Sequence, residues 1–338
     1  MIDGARFHRV RNIALSSSAL LAFGVAGLAG AADDPDDWLR RMSQAVELLN
    51  YEGTLVHMHG EEADVLQVVH RVENGRISER LTALDGAGRE IIRNDDEVTC
   101  IFPDQQSVLV EQRKDRDSSQ SPLRGSLPSA EGISSAYYHV AFLDSSRVAG
   151  RNAQIIAIRP KDSYRYGYRL WIDQATAMPL KSQLRDDQGN VVEQILFADI
   201  ELPDSIPESR VKPSLIVESF VWTRSEGPTQ ESKVEQVSAW LATEMPAGFT
   251  LMTAVTKMPP GGTRPMEQLV YTDGLASVSV FIEDGVAESD QAEGWSQIGA
   301  ANAYTKTLEG RLVTAVGEVP ARTVEMIALS VRPVASAP

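Results

Sequence analysis

From Tyr51 to Gln112 the chain alternates between short β-patterned runs and tight turn chemistry. The runs are Gly53–His59, Ala63–Val72, Ile77–Leu84, Arg89–Arg93, Glu97–Phe102 and Ser107–Gln112. Between them stand Gly60-Glu61-Glu62, Glu73-Asn74-Gly75, Asp85-Gly86-Ala87-Gly88, Asn94-Asp95-Asp96 and Pro103-Asp104. Such separators are too short for a parallel crossover, which takes about a dozen residues or more. The segment is therefore predicted to be an antiparallel meander. In Leu55–His59, Val56 and Met58 are expected on one face, and His57 and His59 on the other. The pattern returns at Gln154–Arg159, Tyr166–Asp173, Pro179–Arg185 and Val191–Glu201, with Asp186–Asn190 as a hairpin turn.

A helix is predicted ahead of the meander. Asp34 can cap it, Pro35 suits its first turn, and Trp38, Met42, Ala45, Val46 and Leu49 form one apolar stripe. A second helix is expected over Ile133–Leu143, from the spacing of Tyr137, Val140 and Ala141. Between them, residues 113–132 are polar and aperiodic. Pro203, Pro207 and Pro213 mark 202–214 as a Pro-rich linker. Beyond it, β-like segments at Phe249–Lys257, Glu267–Thr272, Ala276–Glu283, Ala301–Thr307 and Arg311–Glu318 precede a closing helix after Pro320. The chain thus reads as mainly β with some α: a first domain over 32–201, the linker, and a smaller α+β domain over 215–334.

The first 31 residues read as a secretory signal peptide. Arg6, Arg9 and Arg11 precede an uncharged apolar run, then Ala29-Gly30-Ala31. This is expected to place the rest of the chain outside the cytoplasm. The 338 residues carry a formal net charge of −15, and the leader holds three of the arginines against one aspartate. So acidic a body repels nucleic acid. Cys100 is the only cysteine, which excludes an intramolecular disulfide. It lies in an apolar run with no basic neighbour to activate a thiolate.

Catalytic signatures are missing: there is no Gly-x-Ser-x-Gly, no His-Glu-x-x-His and no Gly-x-x-x-x-Gly-Lys. His57 and His59 share a strand face, with His70 on a neighbouring strand. They are read as solvent-facing strand histidines, not as a zinc site. No enzyme activity, cofactor or metal is expected.

Several segments carry a resemblance. Leu48–Gly53 leads from the first helix into the first strand. Tyr166–Asp173 precedes Met178–Lys181. The second domain contains Leu269–Phe281, with Tyr271-Thr272-Asp273-Gly274 inside it, and Val316–Pro320. In this order they resemble the RseB/MucB family of periplasmic regulators of the sigma-E envelope stress response. The resemblance implies a first domain like the lipoprotein carrier LolA, a half-open antiparallel β-barrel with helices at its mouth. It implies a periplasmic segment of a single-pass anti-sigma factor (RseA/MucA type) as partner, shielded from site-1 proteolysis and released by lipopolysaccharide or another acyl lipid. A lipid or lipoprotein carrier of LolA type is the alternative, and homo-oligomerisation stays open.

On that fold, Val98, Cys100, Phe102, Val108, Val110, Leu170 and Ile172 are the candidates to line a lipid pocket. Arg113, Lys114, Arg116 and Arg124 are the basic candidates for lipid phosphates or an acidic partner segment. Tyr271, Val278, Val280 and Ile282 are the candidates for an edge that adds a partner peptide as an extra strand.

Overall fold

A computed structural model describes residues 34–60, 62–112, 122–125, 127–225, 238–257, 265–284 and 293–334. Helix α1 spans Pro35–Leu48. The Asp34 carboxylate caps it by accepting from the Asp36 amide at 3.1 Å, and Asp36 and Asp37 favour the positive end of its dipole. Trp38, Leu39, Met42, Ala45 and Val46 bury one face.

Eleven strands follow in the first domain. They are β1 (Tyr51–His59), β2 (Glu62–Glu73), β3 (Arg76–Ala83), β4 (Glu90–Arg93), β5 (Glu97–Phe102) and β6 (Ser107–Gln112). After the short helix α2 (Pro122–Gly125) come β7 (Tyr138–Val148), β8 (Arg151–Pro160), β9 (Gly167–Asp173), β10 (Pro179–Arg185) and β11 (Val191–Glu201). Each turn joins antiparallel neighbours, and β1 pairs with β11 to unite the two runs. With β12 (Val221–Ser225), parallel to β6, they form one sheet in the order β12-β6-β5-β4-β3-β2-β1-β11-β10-β9-β8-β7. Its ends do not meet, so the barrel is half-open.

Helix α1 closes one end of this sheet. Trp38, Leu39 and Met42 pack on Ile156, Ile158, Leu170 and Ile172, all fully buried or nearly so. Burying each such aliphatic side chain is worth about 1.5–3 kcal/mol. A second cluster, around Tyr51, Leu55, Val68, Leu180 and Phe197, continues the interior and is capped by Leu123 from α2.

The segment predicted as a helix over Ile133–Leu143 is instead a turn followed by β7. Val140 pairs with Ile158 and Phe142 with Ile156, so tertiary pairing decides a stretch whose apolar spacing suits either structure. The Pro-rich stretch 202–214 lies along the outer sheet face. Ile206 and Val211 bury against Val69. Arg71 Nε donates to the Ile206 carbonyl at 2.8 Å, Arg210 pairs with Glu52 at 2.6 Å, and the Glu90 carboxylate accepts from the Ser214 amide at 3.1 Å.

Among the described residues, the second domain is a six-stranded antiparallel sheet with one helix. Its strands are β14 (Thr250–Lys257), β15 (Met266–Thr272), β16 (Ser277–Asp284), β17 (Gly294–Ile298), β18 (Ala301–Leu308) and β19 (Arg311–Gly317), ordered β14-β15-β16-β19-β18-β17. Strands β13 (Trp240–Ala242) and β20 (Val331–Pro333) form a separate pair. Helix α3 (Ala321–Ser330) buries Val324, Ile327 and Ala328 against Leu269, Val280 and Val313.

Met42→Ala opens a cavity beneath α1 and is expected to destabilise the first domain by about 2–5 kcal/mol. Urea unfolding followed by tryptophan fluorescence measures it, since Trp38 shares the cluster.

Candidate functional site at the domain seam

The two domains meet where the β8–β9 loop enters the second domain. Arg165 on that loop is wholly buried. Its Nη1 lies 2.5 Å from Asp273 Oδ2, and its Nη2 donates to the Ala247 carbonyl at 2.7 Å. Asp162 receives Nε at 3.1 Å, so the guanidinium is held from both sides. The rings of Tyr137 and Phe249 stand against its faces, with centroids 4.9 and 5.3 Å away.

Asp273 is as well satisfied. Its Oδ2 accepts from the Tyr138 hydroxyl at 2.8 Å. Its Oδ1 accepts from the amides of Leu275 and Ala276 at 2.9 and 2.7 Å. The Tyr271–Gly274 turn thereby becomes a rigid socket, whose aspartate takes charge from one domain and a hydroxyl from β7. Burial and the adjacent Asp273 push the Tyr138 phenol well above its ordinary range, so it stays a donor. A buried ion pair repays its desolvation only when its remaining polar atoms are also bonded, and here they are.

Backbone shape fixes the approach. A Cβ on Gly132 would lie 2.0 Å from the Gly274 carbonyl oxygen, and Gly274 itself has φ +100°. Both positions need glycine for the chains to touch. Further along the seam, Asn302 Nδ2 donates to the Tyr166 hydroxyl at 3.0 Å and to the Val319 carbonyl at 2.8 Å. The Thr323 hydroxyl donates to the Tyr164 carbonyl at 2.6 Å.

Beside this joint lies a cleft of about 590 Å³. Met42 and Glu47 of α1, Arg124, Leu127, Tyr168 and Leu275 are among the residues lining it. The volume suits a small ligand or a short stretch of extended chain. Arg124 pairs with Glu47 at 3.3 Å along its wall. Glu318, from the Gly317-Glu318-Val319-Pro320 stretch, borders its inner end. Burial raises the Glu318 carboxyl and Glu193 raises it further, while His57 opposes both. His57 is itself raised, chiefly by its bond to Glu193 at 2.7 Å.

The structure redistributes the residues singled out from sequence. Val108 and Val110 pack with Ile101 on the outer face, beneath Val217 and Phe220. Cross-strand pairing sets Val98, Cys100 and Phe102 on the opposite face, opposite Glu111, Leu109 and Ser107. The five therefore do not line one pocket. Leu170 and Ile172 are buried under α1. Burial also raises the Cys100 thiol, which keeps it protonated.

Arg124 reaches the cleft, whereas Arg113, Lys114 and Arg116 lie outside the described residues. Tyr271, Val278, Val280 and Ile282, expected at a peptide-binding edge, are core residues instead. β16 is a central strand between β15 and β19, so its backbone is already paired, and β14 and β17 hold the edges. His57 and His59 do not face open solvent. The inward side of β1 carries Leu55, and both histidines are partly buried near the seam.

Arg165, Asp273, Glu193 and Glu318 carry no local sequence signature that marks them as site residues. Asp273 and Glu318 belong to two of the stretches that carry the family resemblance.

Removing the Arg165 charge strands Asp273 in the interior. Arg165→Met is expected to cost about 3–5 kcal/mol, with Arg165→Met/Asp273→Asn costing less than the sum of the single changes. Gly132→Ala is expected to loosen the same joint, seen as faster limited proteolysis between the domains.

Comparison with known proteins matches both domains of the chain to one family. Residues 34–215 match the MucB/RseB N-terminal domain, and residues 234–332 the MucB/RseB C-terminal domain. The chain is 34% identical over 331 residues to the sigma factor AlgU regulatory protein MucB of Pseudomonas aeruginosa, covering 95% of this chain and 99% of that one. It is 29% identical over 303 residues to the sigma-E factor regulatory protein RseB of Haemophilus influenzae, covering 87% and 90%. Among solved structures it resembles the Pseudomonas aeruginosa MucA/MucB complex, with TM-score 0.67, 30% identity, and coverage of 90% of this chain and 100% of that one.

Proposed function

The chain belongs to the MucB/RseB family, and from that membership we propose that it is a periplasmic regulator that captures the periplasmic segment of a membrane-anchored anti-sigma factor. Capture hides the bond that the site-1 protease would cut. The observation that carries this reading is the likeness, over nine-tenths of the chain, to a relative solved as a MucA/MucB complex. Both domains take part in that likeness, and the cleft lies where they meet.

The mechanism is occlusion. An extended segment held in the cleft is shielded by α1 and Arg124 on one side and by the Gly274–Ser277 turn on the other. Backbone groups on β14 and β17, the edge strands among the described residues, offer further pairing. No reaction is assigned. The seam's charged groups are engaged with one another, and the Cys100 thiol is shifted away from reactivity. No helix among the described residues is long and apolar enough to cross a membrane. The N-terminal leader supports export.

Acyl lipid lowers partner affinity in this reading, and the coupling is reciprocal: the bound segment weakens lipid binding by the same factor. With the cognate anti-sigma segment as a synthetic peptide, calorimetry is expected to show saturable binding, and site-1 cleavage is expected to slow when the regulator is present. Added lipopolysaccharide should weaken the peptide about 5–150-fold. A peptide that does not bind, and whose cleavage is unaffected, overturns the reading. Recovery of mature lipoproteins instead of an anti-sigma factor from envelope extract would favour a carrier.

A further inference from the structure

Strands β1 and β2 place three metal-competent side chains together at one end of their hairpin. His57 stands directly opposite Asp64 in the register, and His59 lies two residues along the same face. One ligand atom from each of His57, His59 and Asp64 falls within 4.8 Å of the others. His59 Nε2 is 3.5 Å from Asp64 Oδ2, and His57 Nδ1 is 3.9 Å from the same oxygen. The two imidazole centroids are 5.1 Å apart.

A second contact gives this cluster its direction. His57 Nε2 lies 2.7 Å from Glu193 Oε1 on the neighbouring strand β11. A carboxylate only accepts, so the shared proton sits on Nε2. In the neutral ring Nδ1 is then a lone pair aimed toward Asp64. The same geometry, a carboxylate bonded to the far nitrogen of an imidazole, orients histidines that ligate metals and makes them better donors. A lone pair on His57 Nδ1 facing the Asp64 carboxylate is repulsive unless a proton or a metal cation lies between them.

We propose that His57, His59 and Asp64 form a binding site for a divalent transition metal of the Zn²⁺ class, with Glu193 as the positioning residue behind His57. Two imidazoles and one carboxylate suit Zn²⁺ far better than Mg²⁺ or Ca²⁺, which take oxygen ligands. Ligation at about 2.0–2.2 Å requires the donor atoms to stand about 3.3–3.6 Å apart in a tetrahedron. The His59–Asp64 pair already has that spacing, and Asp64, exposed and free to rotate, closes the remaining gap to His57. The fourth position is left for water; Glu62 Oε2 lies 3.8 Å from His59 Nδ1, the nitrogen turned away from the metal, where a carboxylate orients the ring. The site borders the seam: a Cβ on Gly299 of the second domain would be 3.9 Å from His59 Nδ1.

Calorimetric titration of the purified chain, made without a polyhistidine tag, with Zn²⁺ alone tests this. One equivalent is expected to bind saturably, and Mg²⁺ at the same concentrations should give no heat of binding. Glu193→Gln is expected to weaken Zn²⁺ about 10–100-fold. Asp64→Asn removes a ligand at an exposed position and should weaken it at least as much, while His139→Ala, on β7, leaves it unchanged. His57→Ala/His59→Ala should abolish binding. Should that variant fail to fold, Co²⁺ decides: intense visible bands of tetrahedral Co²⁺ are expected in the parent chain and lost in Asp64→Asn. Absence of saturable Zn²⁺ binding by the parent, or equal binding by Asp64→Asn, overturns the site.

Discussion

The ion pair between Arg165 and Asp273 holds the two domains in register. Neither charge has access to water, so each depends on the other and on the Tyr138 hydroxyl, the Ala247 carbonyl and the amides of the Asp273 turn. Partial satisfaction would make this the most expensive spot in the molecule; full satisfaction makes it selective for one docking geometry. The glycines at 132 and 274 let the backbones approach closely enough for the pair to form.

The rest of the fold supplies the supports. Helix α1 fills the end of the half-open barrel, directly behind the strands that carry the docking loop. On the outer face, the 202–214 segment is stitched down by side chains from β1, β2 and β4. Strand β12 then extends the sheet beside β6 before the chain reaches the second domain. The first sheet thus has its outside dressed by the same chain that leads away from it.

Much of this was legible in sequence because it depends on local rules. The meander from Tyr51 to Gln112 follows from turn residues and alternation, and α1 follows from a cap, a proline and an apolar stripe. What failed depended on distant partners. Ile133–Leu143 has apolar residues at both helical and strand spacing, and only pairing with β8 decides in favour of a strand. Proline density marks 202–214 as a linker but does not tell that Ile206 and Val211 bury against Val69. Alternation places Val98 with Cys100 and Val108 with Val110, but not which face each pair takes. Pairing Ile101 with Val108 sets them on opposite sides. Asp273 looks like an ordinary turn residue until Arg165, 108 positions earlier, is brought against it.

The docking loop and the barrel core share their stems. Ile156 and Ile158 on β8, and Leu170 and Ile172 on β9, rest under α1, while Arg165 sits at the tip between those strands. A wedge driven beneath the helix would therefore work as a lever with a short arm. Tilting at the base of the two strands would strain the contact between the guanidinium and its carboxylate. Such a linkage turns an apolar disturbance on one side of the molecule into an electrostatic strain on the other.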